Sequence, residues 1–232
     1  MTTKENANEK VGKLDNLEEL TELTVDVNPE LVSICKDSGA RTEEAKAIYM
    51  KSRTMIQELI GNKTPEDRFR QRCVIATGDL SVADIMRFMH DPIPAGVEAI
   101  KKGAPIFVDI NMVKAGITKT GHKSEIICVL DEDPNAEIAK RYGITRTSAG
   151  FLAARERLDG SIIAIGNAPS ALIIGLPVGF VNAAESKEIV RNLKVPVPSI
   201  SCVGTRGGTP MAVACVNELV AIARESEDAR ES

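Results

Sequence analysis

The stretch Gly204-Thr205-Arg206-Gly207-Gly208-Thr209-Pro210 puts three glycines and an arginine just ahead of a Thr-Pro helix start. Glycines let a backbone approach a ligand closely. A helix start offers free N–H groups, and a guanidinium can grip a carboxylate with two hydrogen bonds. Anion binding is the chemistry such a loop suits, with a tight packing turn as the alternative. It is no P-loop, because the Gly-Lys-Ser/Thr ending is absent.

Two further loops offer related chemistry. Gly166-Asn167-Ala168-Pro169-Ser170 can present N–H groups to an anion or simply start a helix. In Ile144-Thr145-Arg146-Thr147-Ser148, Arg146 stands among hydroxyls and could hold a second carboxylate; a surface N-cap is the equal alternative. Asp109 follows an apolar run and is either a polar site residue or an N-cap. Lys187 reads as a solvated helix charge. Three anion-ready loops suit a polycarboxylate better than a nucleotide, although their spacing does not choose between them.

Loops of this kind need strands behind them. Five short β-rich runs are present: Pro105 to Val108, Ile126 to Leu130, Ser161 to Ile165, Ile173 to Val178 and Ser199 to Val203. Most are continuously apolar, the pattern of strands covered on both faces. Helical patterns run from about Thr42 to Ile60, from Pro65 to Ile75 and from Thr209 to about Arg224. Asp133-Pro134 with Gly143 brackets another helix, and Asn182 with Glu185 resembles a capping box. The alternation predicts an α/β fold: a mostly parallel sheet of about five strands with helices on both faces. Ligands then sit beyond the carboxyl ends of the strands, which is where these loops leave.

Composition narrows the class further. With 43% hydrophobic residues, 3% aromatics and no Trp, the core must be aliphatic. A formal charge of -4 argues against a broad nucleic-acid footprint. None of Cys35, Cys73, Cys128, Cys202 and Cys215 forms a C-x-x-C pair, and only His90 and His122 could join them. Buried free thiols are therefore expected rather than a metal site. Gly160 to Ala184 is uncharged over 25 residues, but its glycines, prolines and asparagines read as turns between strands, not a membrane span. MTTKENANEKVGK lacks the apolar core of a signal peptide, so a cytoplasmic protein is expected. Residues 1–40 read as a partly disordered extension, with a short helix along Leu14, Leu17, Leu20 and Leu23. Residues 41–225 read as one α/β domain and 226–232 as a polar tail.

IGNAPSAL, LPVGFVNAAESKE and GTRGGTP, in that order, resemble the signature segments of the precorrin-8X (cobalt-precorrin-8) methylmutase family. GAPIFVDINMVKAGIT from Gly103 and GITRTSA from Gly143 extend the resemblance, which runs from about Ser52 to Arg224. It implies a homodimeric α/β protein that binds a corrin-precursor tetrapyrrole by its acetate and propionate arms. The reaction implied is a methyl shift between neighbouring ring carbons, without an added cofactor. Substrate contacts are implied for Ser52, Thr118, Arg146, Thr147, Asn167, Arg206, Gly207 and Gly208.

Two departures accompany the resemblance. The family's Arg-x-Ile-His segment carries a histidine taken as an acid. Here Arg72-Cys73-Val74-Ile75 puts Ile75 at that place, and isoleucine donates no proton. His122 is a weak substitute; Asp79 and Asp109 are other acids. The second departure is a missing helix after IGNAPSAL. Only Gly166 to Leu172 separates two strands, too few for a crossover between adjacent parallel strands. Either the region is rearranged or the chain is interrupted there. Three functions remain: the methylmutase, a non-catalytic tetrapyrrole-binding paralogue, and another enzyme using the same loops on a different polycarboxylate.

Overall fold

A computed structural model describes residues 42–133, 136–165 and 171–231. The extension with its leucine pattern, Cys35 and the loop holding Asn167 lie outside the described residues. Contacts divide the chain into two units, 1–61 and 62–232. In the first, helix α1 (Glu43–Ile60) starts at Thr42, whose hydroxyl oxygen accepts from the Ala45 N–H at 3.1 Å. It ends at Gly61, whose N–H donates to the Gln57 carbonyl.

The second unit begins with α2 (Pro65–Thr77). The Asp67 carboxylate accepts from the backbone N–H groups of Lys63 and Thr64 at 2.9 and 3.0 Å, holding the helix start. Gly78 closes the helix in the left-handed conformation at φ 67°. Then follow α3 (Val82–Ile85), β1 (Met86–Met89), α4 (Pro92–Lys101), β2 (Ile106–Val108), α5 (Asn111–Gly116) and β3 (Ile126–Cys128). After a 3₁₀ turn come α6 (Glu137–Tyr142), α7 (Arg146–Ala154), β4 (Ile162–Ala164) and β5 (Leu172–Gly175). The unit closes with α8 (Ala183–Arg191), β6 (Ser199–Cys202) and α9 (Thr209–Glu231).

Among the described residues the sheet has six strands in the order β1-β6-β5-β4-β2-β3. All neighbours are parallel except β1, which runs against β6 with Met86 opposite Cys202. β1 is the strand that sequence patterning missed. At an edge, with Arg87 exposed in its middle, Met-Arg-Phe-Met carries no long apolar run. The central strands are buried throughout, as their unbroken apolar runs predict. α9 packs against α2, α4 and α5 on one face. On the other, Phe107, Val129, Ala154, Leu158 and Ile163 form a core beneath α7.

Four local expectations need correction. α9 continues through the residues read as a polar tail, to Glu231. α6 starts at Glu137 rather than beside Asp133, yet the Asp133 carboxylate still accepts from the N–H groups of Glu137 and Ala139. Asn182 makes no side-chain cap; it serves α8 by adopting φ 60°, a conformation asparagine tolerates. Finally, β4 and β5 are adjacent and parallel, with Ile162 opposite Leu172. The dozen-residue rule presumes a helix in the crossover. These strands are three and four residues long, so the return path is only about 10 Å along the strand and about 5 Å across. The seven residues between them can reach about 23 Å. Ile165, a β-branched residue at φ 72°, marks the tight exit from β4.

The expectation of free thiols holds for Cys73, Cys128, Cys202 and Cys215, all buried and unbridged. No helix among the described residues is long and apolar enough to cross a membrane.

Candidate functional site

The loops leaving β5 and β6 meet at the carboxyl edge of the sheet, and Lys187 holds them together. Its side chain is 1% exposed. Nζ donates to the Pro177 carbonyl at 3.0 Å, to the Arg206 carbonyl, and to Cys202 Sγ at 3.4 Å. An ammonium has three N–H donors, and here they find three acceptors. The reading of Lys187 as a solvated charge is thus overturned. Neither loop's carbonyls could turn inward without a donor between them.

The glycines predicted here are required by contact as well as by conformation. Gly207 sits at φ 153°, and a Cβ there would lie 2.3 Å from the Leu176 carbonyl oxygen. Gly208, at φ 110°, donates its N–H to that same oxygen at 2.7 Å. The Gly179 N–H donates to the Thr205 carbonyl at 3.0 Å, so the two loops are laced by backbone bonds. Burial pushes the Cys202 thiol up, keeping it a donor to the Arg206 carbonyl at 3.0 Å.

Arg206 turns its side chain the other way. Its guanidinium donates to Asp79 Oδ2 at 2.7 Å and to the Ser81 hydroxyl. The Ser81 hydroxyl and N–H, together with Arg206, hold the Asp79 carboxyl below its ordinary value. This clasp brings the end of α2 to the same edge, and half-buried Ile75 lies in the last turn of that helix. α2 is itself fixed: Arg68 and Arg72 both donate to the fully buried Glu218 of α9, at 2.6 and 2.9 Å. Ile75 thus stands four residues before the Asp79 that pairs with Arg206. Beside them Val178, Phe180 and Val181 stand exposed, Phe180 at 93%.

On the face carrying α7 and α8, a groove of about 460 Å³ runs over the ends of β4 and β5. Thr147 and Ser148 line one wall and Pro177, Lys187 and Ile189 the other. Exposed Arg146 immediately precedes Thr147 at one wall; Lys187, which holds the Arg206 loop from behind, lines the other, while the Arg206 loop itself does not line the groove. α8 links β5 to β6, and a right-handed crossover helix from β4 to β5 would lie on the same face, between α7 and α8. The groove lies on the face where such a crossover helix would pack.

Other predicted residues lie elsewhere. The Thr118 N–H donates to Asn217 Oδ1 at 2.8 Å, well down α9, and Gly121 abuts Val220 and Arg224. Val220 is eleven residues past Thr209, about 17 Å along the helix. The Thr118–His122 loop thus faces the amino edge of the sheet and does not meet Arg206 within one chain. Ser52 lies in α1, in the first unit, its hydroxyl donating to the Ile48 carbonyl at 2.9 Å. Asp109 leaves β2 half-buried; burial raises its carboxyl to about 6, against the lowering effect of its own and Ile110's N–H groups. Ile110, not Asp109, is the residue that caps α5.

The family model for precorrin-8X methylmutase matches residues 47–173 and 170–222. The match breaks at one point, the β4–β5 connection. A cobalt-precorrin-8 methylmutase of Methanocaldococcus jannaschii is 38% identical over 214 positions, covering 82% of this chain and 99% of the relative. Since 82% of 232 residues is about 190, about two dozen aligned positions have no residue here. A precorrin-8X methylmutase of Pseudomonas aeruginosa is 36% identical, covering 76% of this chain and 95% of its own. The crystal structure of a precorrin-8X methylmutase from Thermus thermophilus superposes with a TM-score of 0.69 at 29% identity, covering 78% and 97% of the two chains. In sequence, in fold and in the order of its glycine-bearing loops, this chain belongs to the precorrin-8X methylmutase family.

Proposed function

We propose that this protein is a methylmutase of cobalamin biosynthesis that moves a methyl group between neighbouring ring carbons of a corrin precursor. The observation that carries this reading is the Lys187 clasp. It joins the two glycine-bearing loops and aligns them with the end of α2, at the carboxyl edge where a doubly covered sheet binds its ligands. The backbone N–H of Gly207, with the Arg206 guanidinium, receives carboxylate arms, while the Gly208 N–H stays bonded to the Leu176 carbonyl. NH1 of Arg206 faces Asp79, which leaves its other N–H groups for a ligand. Val178, Phe180 and Val181 give the apolar macrocycle a surface to lie on. Arg146 and Thr147, across the groove, receive further arms, and the family resemblance adds Asn167 as another contact. The protein works in the cytoplasm as a homodimer, and Ser52 and Thr118 contribute to the site in that assembly.

Ile75 shapes the mechanism. A positioned acid contributes about 100- to 10,000-fold to a proton-dependent step. With isoleucine at that place, methyl migration rests on binding and orientation, and turnover is slow. The test is incubation of purified protein with cobalt-free and cobalt-bearing precorrin-8, following absorbance. Spectral change with product formation supports the mutase. A perturbed spectrum without product supports a binding paralogue, and no perturbation sinks both. In the mutase reading, Ile75→His raises turnover by at least tenfold.

A further inference from the structure

Helices α2 and α9 bring two thiols into contact on the face of the sheet away from α7. Arg68 and Arg72 of α2 donate to Glu218 of α9, and Arg68 also donates to Glu225 at 2.7 Å. These charge-assisted bonds fix where along α9 the shorter helix lies. Cys73 follows Arg72, and Cys215 stands three residues before Glu218, so the same register sets the two cysteines against each other. Their sulfurs are 3.6 Å apart, and both residues are fully buried.

The hydrogens run in one direction. The Met211 carbonyl lies 3.8 Å from Cys73 Sγ and only accepts, so the Cys73 S–H points to it. Cys73 Sγ then accepts from the Cys215 S–H. That bond, together with burial, raises the Cys215 thiol well above its ordinary value. Cys202 is engaged elsewhere: its sulfur donates to the Arg206 carbonyl and receives Lys187 Nζ.

We infer that Cys73 and Cys215 form a redox staple, joined as a disulfide when a peroxide reaches them, which ties the end of α2 to α9. Peroxide transfers one oxygen to Cys73 Sγ, giving the sulfenic acid and one water. The Cys215 sulfur then attacks Cys73 Sγ. The S–S bond forms, the S–O bond breaks, and the departing oxygen leaves with the Cys215 proton as a second water. Two thiols and one peroxide thus become one disulfide and two waters. Closing the contact to a bonded distance takes a shift of about 1.5 Å, shared between two side chains and two helices. Nothing in this device depends on methyl transfer, so it stands or falls separately from the proposed function.

The test treats the reduced full chain with hydrogen peroxide under native conditions and alkylates the remaining thiols in denaturant. Peptide mapping by mass spectrometry is expected to recover Cys73 joined to Cys215, and dithiothreitol frees both. The two cysteines are 142 residues apart, so the bridge constrains the unfolded chain strongly. The bridged protein melts about 5–15 °C above the reduced one. Cys215→Ala loses both the bridge and the rise; should that variant fold poorly, the map and melting of the parent decide alone. Cys73 and Cys215 both still alkylatable, Cys73 joined to Cys202 instead, oxidation of Cys73 beyond the sulfenic acid, or a bridge without a rise in Tm overturns the staple.

Discussion

Lys187 is the residue on which the site geometry turns, and Lys187→Met isolates its role. Methionine keeps the length and apolar stem of lysine and removes only the donors. The Pro177 carbonyl then loses its Nζ partner, whereas the Arg206 carbonyl keeps the Cys202 thiol at 3.0 Å. One orphaned buried carbonyl costs about 1–3 kcal/mol, and losing the shorter bond to Arg206 about 1 more. Relief from burying an amino group offsets part of this. A net loss of about 2–3 kcal/mol follows, or about 5–10 °C in Tm for a domain of this size.

Thermal unfolding followed by circular dichroism measures the loss. Amide hydrogen exchange locates it: the N–H groups of Gly179 and Gly208 bridge the two loops and lose protection, while β2 and β4 keep theirs. In the spectral assay with precorrin-8, the ligand concentration at half-saturation rises. A Lys187→Met protein as stable as its parent, with Gly179 and Gly208 still protected, would refute the clasp.

Three other outcomes follow from the same geometry. Gly207→Ala forces a Cβ to within 2.3 Å of the Leu176 carbonyl oxygen at a φ that L-residues avoid. It lowers stability by about 1–3 kcal/mol and abolishes the spectral response, with urea unfolding and absorbance as readouts. Asp109 has a folded-state pKa raised to about 6, so its contribution is fully present below about 4 and is lost as pH rises through 6. Partial exposure limits the effect to about 1–2 kcal/mol; Asp109→Asn matches its parent at pH 4 and exceeds it at pH 8 in urea midpoints. Grafting the relatives' crossover segment between β4 and β5 covers Leu152 and Ile189, now 40% and 55% exposed. At about 1 kcal/mol for each half-covered side chain, Tm rises by several degrees, read by calorimetry.

The sequence made the scaffold legible because its signals are local. Continuous apolar runs such as Ile162-Ile163-Ala164 can be satisfied only between two layers, and they became the buried strands. Gly207 and Gly208 were legible for the same reason: three glycines beside a helix start ask for close backbone approach. Lys187 was not, because nothing in Glu185-Ser186-Lys187-Glu188 distinguishes it from a solvated charge. Its burial depends on two carbonyls, ten residues before it and nineteen after, that meet only once β5 and β6 pair. A partial signal existed. Loops with glycine at Gly179, Gly204, Gly207 and Gly208 turn carbonyls inward as readily as N–H groups, and inward carbonyls require a donor from the nearest helix.

Thr118 poses a different case. Its motif resembles the family's, but the length of α9 separates it from Arg206, a distance within one chain that likeness of segments does not report. The short β4–β5 connection completes the point. A rule about crossovers is a rule about helices, and three-residue strands need no helix to return. A crossover segment grafted between β4 and β5 is expected to cover the groove between Thr147 and Lys187, and a graft that left Leu152 and Ile189 as exposed as before would refute that placement.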